Sequence, residues 1–186
     1  MTRLKIERDN EGKIEMRKQK GFSLIELLIV VAIILIIAAI AIPNLMRARM
    51  AANDSSAAAS ERSIVTAEVG YIASYPTVGY TNLKALGGAG SPCVPATAGG
   101  CLIDNNLALD GTPAGSGKSG YHFTATPGGA AATGFNFFTE AHVLANTTGT
   151  KSYCAADDGV VRTEPAGTLT TVPDYATCLG LGPMNN

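Results

Sequence analysis

Glu26 is the only ionisable side chain in the apolar run from Phe22 to Ile42. A charged group within a bilayer costs about 2.5 to 3.5 kcal/mol on insertion scales, so an acid placed there is read as functional and in need of a positive partner. The other residues with chemistry to offer lie far along the chain. Cys93, Cys101, Cys154 and Cys178 suit two disulfides in an oxidising compartment, and four cysteines allow three pairings. Cys93 with Cys101 and Cys154 with Cys178 is the favoured choice, because each pair closes a local loop in a Gly- and Pro-rich region. Zinc is the rival use of these thiols, but no Cys-x-x-Cys spacing occurs. His122 and His142 could share a metal only if their strands align, and a catalytic zinc normally needs a third protein ligand. No Ser-His-Asp spacing, phosphate loop or carboxylate pair stands out, so there is no sequence case for catalysis, a cofactor or a bound metal.

The element that must position Glu26 is a helix. Phe22–Ile42 matches the roughly 20 apolar residues that cross a bilayer. Arg17, Lys18 and Lys20 precede the run and Arg47 and Arg49 follow it. Taken with the exported cysteines, this flank puts the N-terminus in the cytoplasm and the remainder outside. A secretory signal peptide would explain Ala39-Ile40-Ala41 as a cleavage site, but the run is longer than such a segment needs and contains an acid it has no use for.

Pro43 follows the run and predicts a kink or loosening of the helix. From Arg47 a second helical pattern places Ala48, Ala51, Ser55, Ala58, Val65, Val69 and Ile72 on one face, with Asn53, Asp54, Ser60, Arg62 and Ser63 opposite. Tyr75-Pro76 should end it. Beyond Pro76 the composition turns to Gly, Ala, Thr and Pro and helical periodicity is lost. Tyr121, Phe123 and Ala125 alternate with His122, Thr124 and Thr126, and Phe135, Phe137, Thr139, Ala141 and Val143 form the next alternating face. Ser152–Ala156 meets Val160–Thr163 across Asp157-Asp158-Gly159, a strong hairpin signal. The expected fold is one α+β domain, a long N-terminal α-helix, half of it transmembrane, packed on an antiparallel β-sheet.

Lys20–Leu28, with its basic residue, Gly21 and then Phe-Ser-Leu-Ile-Glu-Leu, closely resembles the signature of the type IV pilin-like proteins, which include type IV pilins and the pseudopilins of type II secretion. The resemblance implies the pilin fold. It also implies that a prepilin peptidase cuts between Gly21 and Phe22 and N-methylates the new terminus. Glu26 would then pair with the Phe22 amine of a neighbouring copy and set the stagger between subunits. Pro43 stands where the family commonly carries one, but the Gly expected eight residues earlier is Leu35 here. Lys151–Arg162 is similar to a hairpin of some pilins, and the Cys154–Cys178 pairing resembles their C-terminal disulfide.

The organisation expected is a leader over 1–21, an assembly half of the helix over 22–50 and a head over 51–186. Met16-Arg-Lys-Gln-Lys-Gly21 alone has the length and charge of a leader, so residues 1–15 read as a start-site artefact. Without residues 1–21 seven basic residues face eleven acidic ones, and no nucleic-acid stripe is evident. Asn53 and Asn146 match the glycosylation pattern alone.

The function expected is a structural subunit of a type IV pilus. A type II secretion pseudopilin is the alternative, and a membrane-anchored binding domain is a third reading. Partners implied by the resemblance are identical subunits, the prepilin peptidase, an inner-membrane platform protein with its assembly ATPase, minor pilins and an outer-membrane secretin. The implied path runs from the inner membrane to an extracellular pilus or a periplasmic pseudopilus.

Overall fold

A single helix, α1 (Leu24–Ser74), carries both the apolar run and the pattern that follows it. The computed structural model describes residues 22–88, 92–109, 117–128, 136–143, 147–164 and 174–184. The chain divides into two compact units, one ending at Ile42 and the other beginning at Pro43. In the first, all residues from Phe22 to Ile42 are exposed except the half-buried Ala38. Pro43 lies inside α1, whose helical geometry continues past it. Its ring deletes one amide donor, and the intact turns around it keep the segment helical.

In the second unit, α1 packs through residues between Ala57 and Tyr71 on a four-stranded antiparallel sheet of order β1-β2-β3-β4. The strands are β1 (Tyr121–Gly128), β2 (Asn136–Val143), β3 (Tyr153–Ala156) and β4 (Val161–Thr163). They form because apolar and polar residues alternate, and the inward set Tyr121, Phe123, Ala125, Phe137, Ala141 and Val143 packs with Ile64 and Tyr71 of α1. The β3–β4 turn is closed by the Gly159 N–H to the Ala156 carbonyl at 2.9 Å, with Gly159 at φ 75°, a conformation that suits glycine. Phe135 and the turn at Gly129 fall outside the described residues.

Two expectations need correction. Short helices α2 (Leu83–Leu86), α3 (Asn105–Ala108) and α4 (Tyr175–Gly180) occur beyond Pro76. Each begins at an acceptor side chain, of Asn82, Asp104 and Asp174 respectively, that caps a first-turn N–H. The buried face of α1 is also rotated from the predicted one. It comprises Ala57, Ala58, Ser60, Glu61, Ile64, Val65, Ala67, Glu68 and Tyr71, while Ala48, Ala51, Ser55 and Val69 are exposed. Small residues surround this helix on every side, so the large Ile64 and Tyr71, not the alanines, decide which side meets the sheet.

Candidate functional site

The first two described residues, Phe22 and Ser23, precede α1, and the Ser23 carbonyl accepts the Leu27 N–H at 3.2 Å. Glu26 falls in the first turn. The amide groups of a first turn lack intrahelical acceptors, and the positive end of the helix dipole favours an acid there. Phe22 is 71% exposed. Gly21, the other half of the expected processing junction, lies outside the described residues.

The most apolar 18-residue window of α1 has a mean hydropathy of 3.3 and none of it is buried. Leucine, isoleucine and valine face outward all round, so this is not an amphipathic helix with one side against a core. Such a surface must be covered by lipid or by other helices. An ionised carboxylate in an apolar environment is costly without a cation.

The head is cross-linked as favoured, by Cys93–Cys101 and Cys154–Cys178. The second bond ties α4 to β3, and both its cysteines are fully buried. In the adjoining β3–β4 hairpin, Asp158 pairs with Arg162 and accepts the Val160 N–H at 3.0 Å. The hydroxyl of Tyr175 on α4 donates to Asp157 at 2.6 Å.

His122 and His142 are directly opposed in the β1–β2 register, and the His142 Nδ1 lies 4.0 Å from a Glu140 oxygen. Burial, with help from His122, pushes the His142 pKa down. Among the described residues no three His, Cys, Asp or Glu side chains are grouped to hold a metal ion. Asn53 uses its amide to bond the Thr148 carbonyl at 2.7 Å.

Three acids of α1 were missed as structural residues. Asp54 reaches the loop before β3, and Glu61 and Glu68 are wholly buried. The available signal was the seven-residue spacing of Glu61 and Glu68, which sets them on the same face as Ile64 and Tyr71.

The family described as the prokaryotic N-terminal methylation motif matches residues 16–42. The type IV wide pilus major component PilA4 of Thermus thermophilus is 68% identical over 40 residues, 22% of this chain and 30% of that protein. The type IV major fimbrial protein FimA of Dichelobacter nodosus is 39% identical over 120 residues, 58% of this chain and 75% of that protein. No solved structure matches.

Proposed function

The chain belongs to the type IV pilin family, and from that premise we propose that it is a structural subunit of a type IV pilus. The observation that carries this reading is the helix apolar on every side, with Glu26 in its first turn and the methylation motif over it. Both relatives are named as pilus or fimbrial subunits, so the pseudopilin reading is not favoured.

Residues 1–21 serve as a leader, cleaved before Phe22 by a prepilin peptidase that methylates the new amine. The precursor waits in the inner membrane with its N-terminus in the cytoplasm. Identical helices then replace lipid around one another, and the Phe22 amine of one subunit pairs with Glu26 of the next. In this reading residues 22–50 form the assembly segment and 51–186 the exported head. A platform protein and an ATPase supply the work of extraction, and a secretin and minor pilins complete the machinery.

Surface filaments sheared from cells that express the chain provide the test, by electron microscopy and mass spectrometry of the subunit. The expected subunit begins at Phe22 and is one methyl group heavier than the bare chain. A filament-free cell that processes the protein normally would overturn the reading.

A further inference from the structure

Glu61 and Glu68 stand two helical turns apart on the side of α1 that faces the rest of the head, and each is 0% exposed. One Glu61 oxygen receives the Thr139 hydroxyl from β2, and one Glu68 oxygen receives the Thr81 N–H at 3.1 Å from the segment after α1. Among the described residues the second oxygen of each carboxyl has no hydrogen-bond partner. Among the described residues no Lys, Arg or His forms an ion pair with either acid. Among the described residues the titratable groups that face them are Glu140 on β2, which acts on Glu61 with like charge, and Tyr80, beside Glu68, which carries no positive charge in any state.

We propose that Glu61 and Glu68 form a proton-operated latch between α1 and the rest of the head, seated when both carboxyls are protonated and released when they ionise. A buried carboxylate with no cation and one oxygen unsatisfied costs far more than the neutral acid. The two acids hold different parts of the head, β2 through Thr139 and the α1–α2 connection through Thr81, so ionisation of both weakens the seat of the helix along two turns.

Burial pushes Glu61 up to about 8 and Glu68 up to about 7, each partly offset by its hydrogen bond. A raised acid pKa means that the folded head holds protons the unfolded chain has released. The contribution of these two acids to stability is therefore fully present below the ordinary carboxyl value of 4.5, falls as pH rises, and is lost above about 8. His142, with its pKa pushed down, contributes the opposite slope and cannot mimic this signature.

The full-length protein in detergent micelles, with its disulfides intact, is to be melted from about pH 5 to about pH 9. The melting temperature of the wild type should fall across this range, and the E61Q/E68Q double variant should lose most of that slope. Infrared spectra of the wild type at about pH 6 should show protonated carboxyl absorption that is absent at about pH 9. A flat wild-type profile, an unchanged slope in the double variant, or no such absorption overturns the latch. The spectra decide the matter if the double variant fails to fold.

Discussion

Asp54 on α1 accepts the hydroxyl of Tyr121 on β1 at 2.5 Å. The same carboxylate takes the Thr150 N–H at 3.0 Å and the Thr150 hydroxyl at 2.6 Å, while the Tyr121 hydroxyl also lies 2.7 Å from the Lys151 carbonyl. One acid thus joins helix, first strand and the loop before β3. A hydrogen bond to a charged group contributes about 1.5 to 3 kcal/mol, so Tyr121→Phe should destabilise the head by that order. Asp54→Ala should cost more, because it takes the acceptor from the Thr150 N–H and hydroxyl as well as from Tyr121, which keeps only the Lys151 carbonyl. Denaturant unfolding of the oxidised protein measures both.

Gly149 packs beneath that junction. A Cβ added there would meet the Tyr121 ring and hydroxyl and Asp54 Oδ1, and overpacking of this kind costs about 1 to 3 kcal/mol. Gly149→Ala should therefore destabilise the head, and by less in a Tyr121→Phe background where the hydroxyl is gone. A double-mutant cycle reads the coupling, and strict additivity would refute the contact.

Removing Cys154–Cys178 should cost more than removing Cys93–Cys101. Their sequence separations of 24 and 8 correspond to about 3.5 and about 2.5 kcal/mol on the chain-entropy model. Cys154 and Cys178 are also wholly buried, whereas Cys93 is exposed. Paired Cys→Ser variants compared by thermal melting give the order, and an inverted order would count against it.

In the β3–β4 hairpin the Arg162 guanidinium holds Asp158 below the usual carboxylate range. A lowered acid pKa contributes stability that is present above the ordinary value of 3.8 and lost as pH falls through the folded value. Asp158→Asn leaves a guanidinium only 10% exposed without its anion, at about 1 to 2 kcal/mol once screening of the exposed acid is allowed for. The gap between wild type and variant should be constant above about pH 5 and close in stronger acid. A gap independent of pH would show that the ion pair is not its source.

The strands and the cysteine pairs were legible because their signals are local, an alternation of period two and cysteines that close short loops in the same region. The face of α1 was not, since Ala and Ser occupy every side from Ala48 to Ala59 and no moment points at the core. Glu61 and Glu68 contradict the usual rule that acids face water. Their burial depends on Thr139 and Thr81, residues distant in sequence that only the folded chain brings near. The short helices α2, α3 and α4 have too few turns to display a period, and only Asn82, Asp104 and Asp174 announced them. At the N-terminus the folded chain adds little, because the part proposed for Phe22 and Glu26, taken from the placement of the acid and from the family resemblance, lies between copies.

That role yields the sharpest expectation. If Glu26 pairs with the Phe22 amine of a neighbouring subunit, the acid's charge is what counts and its bulk is secondary. Glu26→Gln keeps the shape and removes the charge, so a neighbour's amine enters the apolar bundle uncompensated. A charge in that setting costs about 2.5 to 3.5 kcal/mol, or about two orders of magnitude in the equilibrium for adding a subunit. The variant should still insert and be cleaved, accumulating as processed protein in the membrane with few filaments. Glu26→Asp should restore part of the yield. Immunoblots of sheared and membrane fractions separate assembly from processing, and normal filaments from Glu26→Gln would remove the pairing.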